Sequence, residues 1–214
     1  VNDDLPPRFQ ERYKKFTAKA DYTAKHVELK ELDKYAQDFA TVYNSAWAQH
    51  GEAKEITLEE VKKLFKTMKP IMDERVIWFA YYKTEPIAMF INIPDVNQYF
   101  KHFNGKLNLV NKLRLLWMKK TGQCKKLTGL AFGVVPKYQA LGIDSYLIQA
   151  CGYNMQHKGW YDAYEMGWAG DWNPIMVNIY KSLGASQNRR MVTYRFVFDE
   201  AKNPFERHPI MEYK

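Results

Sequence analysis

The run Val134-Val135-Pro136-Lys137-Tyr138-Gln139-Ala140-Leu141-Gly142-Ile143 reads as a strand end, a short loop and a helix start. The first N–H groups of a helix have no internal partner, and the helix dipole puts partial positive charge there. Such an end attracts a phosphate. Gly142 lets the backbone approach the oxygens without a Cβ in the way, and Lys137 adds charge at the loop start. An ordinary strand-to-helix connection has the same spacing, so this run alone leaves both readings open. Other chemistry finds less support. Cys124 and Cys151 form no CxxC pair, the five histidines are scattered and no HExxH pair occurs, so no metal site is expected. The two cysteines are expected to be reduced thiols.

These residues need elements to hold them. Hydrophobic residues make up 46% of the 214-residue chain, enough for a packed core. Residues 1–25 are polar and charged, with Pro6 and Pro7, and are expected to form an arm or linker ahead of one domain spanning 26–214. Leu29 to Trp47 has apolar residues at helical spacing. Thr57-Leu58-Glu59-Glu60 is a capping box opening a second helix that ends before Pro70. Val76 to Tyr82 and Ile87 to Ile93 predict an antiparallel hairpin. Val96 to Phe103 predicts a short helical turn, and Leu109 to Lys120 a basic amphipathic helix. Leu127 to Val135 predicts a strand, Ile143 to Met155 a helix, Tyr161 to Trp168 a strand, Asn173 to Leu183 a helix, and Met191 to Phe198 a last strand. Strand–helix–strand units in the second half imply parallel pairing beside the early hairpin, so the sheet is mixed.

The pieces Val134-Val135-Pro136, Gln139-Ala140-Leu141-Gly142-Ile143, Trp168-Ala169-Gly170-Asp171-Trp172-Asn173 and Tyr180-Lys181-Ser182-Leu183-Gly184 stand in a fixed order. In that order and spacing the chain resembles the GNAT superfamily of acyl-CoA N-acyltransferases, over about Gly129 to Phe198. Within that superfamily it looks like a bacterial group with longer chains. The first half fits by element order. The resemblance implies an α/β (α+β mixed) fold: a central mixed, mostly antiparallel β-sheet flanked by helices. It implies transfer of an acyl group, typically acetyl, from acetyl-CoA or another acyl-CoA to a small-molecule or peptide amine. Val134 and Val135 would offer backbone groups to the pantetheine arm as an added strand. Lys137, Gln139, Ala140, Leu141, Gly142 and Ile143 would hold the pyrophosphate. Asn173 would orient the cofactor, and Tyr180 would protonate the departing thiolate. Tyr180 also reads as a core aromatic. The base is open between Glu165, on a strand beside the cleft, and Asp171 in the next loop; each also reads as a surface or salt-bridged carboxylate. Trp168 and Trp172 read as acceptor-pocket walls or as core.

The chain departs from the family pattern at Asp144, where Gly or Ala is the rule. A carboxylate in the first turn suits the dipole but repels a pyrophosphate. It either points away as a cap or marks a weakened site, in which case the domain is a non-catalytic ligand- or partner-binding module.

A net charge of +8 favours anionic partners. Lys112 to Lys126 suits an acidic carrier protein, an anionic membrane surface, the cofactor's ribose phosphate or plain solvent. No nucleic-acid motif accompanies the charge. No run of 18 apolar residues and no signal peptide is present, so a soluble cytoplasmic protein is expected. Val1 stands where a Met would begin a chain, as in a processed protein or a piece of a longer one.

Overall fold

The computed structural model describes residues 4–47, 54–194 and 196–198. The chain divides into two compact units, Val1–Gly167 and Trp168–Lys214.

The first unit is built on five strands in the order β1-β2-β3-β4-β5: Tyr22–His26, Ile77–Tyr82, Glu85–Pro94, Lys126–Val134 and Ala163–Glu165. β1 to β4 pair antiparallel, and β4 pairs β5 in parallel. The mixed, mostly antiparallel sheet is thus the one the sequence implies. β2 and β3 are almost wholly apolar because helices cover both faces. Phe79 and Tyr81 point to α2 (Leu32–Trp47): Tyr35 stacks on Phe79, and the Tyr81 hydroxyl donates to Asp38 at 2.7 Å. α3 (Leu58–Met68) packs on α2 through Phe65 and Phe39. On the other face lies α6 (Ile143–Met155), with α1 (Pro7–Thr17) packed on it.

α1 and β1 occupy the stretch read as a polar arm. The residues are mostly charged, but Phe9 and Phe16 stand seven apart, two helical turns, and both are buried. Pro7 sits in the first turn, where its missing N–H costs nothing. Two apolar anchors among solvated charges were enough to make a helix that local composition had hidden.

α3 begins as its capping box dictates: Thr57 accepts from the Glu60 N–H at 3.2 Å, and the Glu60 carboxylate accepts from the Thr57 N–H at 2.8 Å. This cap is worth about 1 kcal/mol. Between β3 and β4 the chain inserts α4 (Asn97–Phe100) and α5 (Leu109–Lys120). Asn108 caps α5 by accepting from the Asn111 N–H at 3.0 Å.

The second unit holds α7 (Pro174–Ser182), capped by Asn173 and followed by Gly184 in the left-handed region. The strand expected from Met191 to Phe198 is not formed among the described residues; Met191, Val192, Tyr194, Phe196 and Phe198 are exposed. Alternation makes a strand only where a neighbour completes the ladder. The strand expected over Tyr161 to Trp168 is only the three residues of β5.

Candidate active site

β4 is paired on both edges only at its start. Its ladder with β5 runs from Lys126↔Ala163 to Thr128↔Glu165 and stops. Beyond, Gly129 to Val134 pairs with β3 alone among the described strands. Two glycines meet at the fork. A Cβ on Gly167 would stand 3.0 Å from the Gly129 carbonyl oxygen, and one on Gly129 would stand 2.8 Å from the Tyr164 hydroxyl. That hydroxyl reaches across β4 to donate to buried Asn92 on β3 at 2.7 Å. Asn92 in turn donates to the Val76 carbonyl at 2.9 Å. A register shift between Ile91 and Asn92 leaves Leu130 as an extra residue on β4 opposite them. Such a bulge bends a strand and ends regular pairing, so the fork opens there.

The open edge fixes which backbone groups face outward. The Val135 N–H donates to the Ile87 carbonyl at 2.9 Å, so it points at β3. Val135, expected to serve a pantetheine arm, is therefore already engaged. Backbone groups alternate edges along a strand, which leaves Val134 and, two residues back, Phe132 facing the open edge. Phe132 was missed because edge direction depends on register, which spacing does not reveal. Val134 is not wholly free either: the Gln139 side chain donates to its carbonyl at 3.0 Å.

The loop then turns into α6. Tyr138, in a 3-10 turn with Pro136 and Lys137, is buried and donates to Glu85 at 3.1 Å, pinning the loop to β3. Lys137 is exposed, with its ammonium 5.3 Å from the Tyr138 ring centre. Ala140 has φ 58° and Gly142 φ 92°, both left-handed. Two left-handed residues so close together turn the chain sharply just ahead of the helix start, where the free N–H groups lie. For Ala140 that geometry costs about 1 kcal/mol. Leu141 is exposed and Ile143 fully buried, so Ile143 anchors the helix start and offers only its backbone. The first bond of α6 is Tyr146 N–H to Gly142 carbonyl, 3.0 Å, and no side chain caps the residues before it. Asp144 lies in this turn, half-buried, and does not cap it.

One cation was not foreseen. A Cβ on Gly142 would lie 2.8 Å from Arg12 Cδ and 3.0 Å from its Nε. The Arg12 side chain of α1 thus lies over the loop, beside the start of α6. The signal was the Phe9–Phe16 spacing, which puts Arg12 on a helix rather than in an arm.

Glu165 stands at the last rung of the β4–β5 ladder, beside the fork, and its carboxylate is bound by the Lys126 ammonium. Asp95 adds to that pair at 3.4 Å. The bond to Glu165 holds the Lys126 pKa above its ordinary value.

In the second unit, Asn173 and Tyr180 are seven residues apart, two turns of α7, and so share a face. The Asn173 side-chain oxygen accepts from the Met176 N–H at 3.1 Å, a cap rather than a contact for a ligand. Tyr180 is half-buried, and burial raises the pKa of its phenol, which keeps the proton on. Trp168 is exposed, and the Trp172 ring lies against Gly170. Cys124 and Cys151 are buried free thiols, and no cluster of metal-binding side chains occurs among the described residues. No described helix is long and apolar enough to cross a membrane.

No family profile matches the chain. It is 25% identical over 201 residues to a bacterial ceramide synthase from Caulobacter vibrioides, a match covering 92% of this chain and 51% of that protein. It therefore spans about half the length of that relative. Among solved structures it is similar to a possible acetyltransferase from Clostridium difficile 630, with TM-score 0.50, 17% identity, and 82% and 98% of the two chains covered. It is likewise similar to an aminoglycoside acetyltransferase from an uncultured soil metagenomic sample, solved with sisomicin: TM-score 0.51, 10% identity, and 84% and 97% covered. The fold is that of the GNAT acetyltransferases.

Proposed function

We propose that the chain is a cytoplasmic N-acyltransferase that moves an acyl group from an acyl-CoA to an amine. One observation carries the reading: the open edge of β4 runs straight into a helix start with two left-handed residues, no cap and an arginine across it. A pantetheine arm is an extended chain of amides and would pair with Phe132 and Val134 as an added strand. Its pyrophosphate would meet the amides from Gln139 to Asp144, with Lys137 and Arg12 supplying charge.

In the proposed reaction the amine nitrogen attacks the thioester carbonyl. A C–N bond forms and the C–S bond breaks. In the family pattern that the chain resembles, Tyr180, which burial keeps protonated, is the residue that would give its proton to the sulfur. The amine proton passes to Glu165, directly or through one water; the Lys126 ammonium holds that carboxylate beside the fork. Asn173 acts by capping α7, which carries Tyr180. The name of the Caulobacter relative favours a lipid amine as acceptor and a long acyl chain, since a ceramide is an N-acylated lipid amine. Acetyl-CoA is the competing donor.

Calorimetric titration with acetyl-CoA and a long-chain acyl-CoA tests the reading. Saturable binding is expected, and absence of binding at millimolar cofactor removes it. Tyr180→Phe is then expected to lower kcat about 10²-fold or more with binding unchanged. Asp144 favours a second reading, a non-catalytic module: its carboxylate sits in the turn the pyrophosphate would occupy. A folded chain that binds no acyl-CoA at millimolar concentration would support that reading.

A further inference from the structure

α5 is apolar on two sides. Inward, Leu115 and Met118 pack with Tyr99, Phe103 and Cys124 in a small core of their own. Lys119 secures the helix by donating to the Pro70 and Met72 carbonyls at 3.0 and 2.7 Å. Outward, Leu109, Val110, Leu113, Leu116 and Trp117 are between 54% and 73% exposed. At 3.6 residues per turn these five fall within an arc of about 120°. Lys112 and Arg114 flank the arc on its two sides, and Lys120 closes its C-terminal end. From Val96 to Ile143 the chain carries nine Lys or Arg and no Asp or Glu.

Large apolar side chains this exposed on one helix need a cover. A second copy of the face would bring lysines against lysines. A protein groove is met by a narrower ridge of anchors, whereas this face is broad and convex, has a Trp at its edge and is bordered by long basic side chains. Such a helix lies in a bilayer interface, with its apolar face among acyl chains and its lysines at anionic headgroups.

We infer that the outer face of α5 is a docking surface for an anionic lipid bilayer. The apolar side chains enter the interface, and Lys112, Arg114 and Lys120 meet the headgroups. After α5 the chain enters β4 at Lys126, three residues or ~10 Å along the strand before the fork at Gly129. Under the acyl-transfer reading, a lipid amine would then reach the fork from the membrane side. The docking itself does not depend on that reading.

The test is co-sedimentation of the full chain with vesicles of phosphatidylcholine containing about one-third phosphatidylglycerol, against pure phosphatidylcholine. Anionic vesicles are expected to bind at least about tenfold more tightly, and less so as salt rises. Leu113→Asp with Leu116→Asp, and separately Lys112→Glu with Lys120→Glu, change exposed positions and should each cut binding about tenfold or more. Circular dichroism melts establish that the variants fold. No binding to anionic vesicles, equal binding to neutral ones, or binding unchanged in Leu113→Asp/Leu116→Asp overturns the proposal. So does saturable capture of an acidic carrier protein by this face without vesicle binding.

Discussion

α3 and α6 begin in opposite ways. At α3 the first turn is closed: Thr57 and Glu60 satisfy each other's backbone N–H groups. At α6 it is left open: Gly142 has no side chain to give, Asp144 does not cap, and Arg12 lies across the loop. A glycine at the N-cap forgoes roughly a few tenths of a kcal/mol relative to a capping side chain. Here it comes with a further cost, the left-handed Ala140. A cation beside the positive end of a helix is itself unfavourable. All three are offset if an anion sits at this helix start. The contrast separates a helix start that serves only the fold from one shaped to receive something.

The comparison can be broken most directly at Gly142. Gly142→Val puts a Cβ into the Arg12 side chain and forces a β-branched residue to φ 92°. Cofactor affinity is expected to fall about 100-fold, about 2.7 kcal/mol, as read by calorimetry. An unchanged Kd would show that the loop is an ordinary connection. Arg12→Ala should weaken cofactor binding about tenfold and flatten its salt dependence; equal salt slopes in both proteins would take Arg12 out of the site. Asp144→Asn removes the like charge and should tighten binding about threefold. Weaker binding would mean that Asp144 helps rather than hinders. Thr57→Ala sharpens the contrast from the other side. It should cost about 1 kcal/mol of stability in a denaturant titration and leave cofactor affinity untouched.

Legibility in the sequence followed the range of the interactions. The Thr57 box and the bounds of α5 and α6 are set within a few residues, and spacing alone places them. The Val134–Ile143 loop was legible for the same reason. The fork was not. It depends on Tyr164 crossing Gly129 to reach Asn92, a contact between residues far apart in the chain. Edge direction at Val135 depends on the β3–β4 register, and Arg12 on the docking of α1 against α6. The amphipathic reading of α5 placed its charges but not its direction: the side facing inward is the smaller apolar one, Leu115 and Met118.

Gly133 sits under the Trp47 indole, where a Cβ would stand 2.5 Å from the ring. The last turn of α2 therefore sets how flat the open half of β4 can lie. The two positions are sterically coupled: a related chain with a side chain at 133 should carry a smaller ring or none at 47. Paired change at these sites, far apart in the chain, would alter how the open half of β4 lies against α2 while leaving Phe132 and Val134 themselves unchanged.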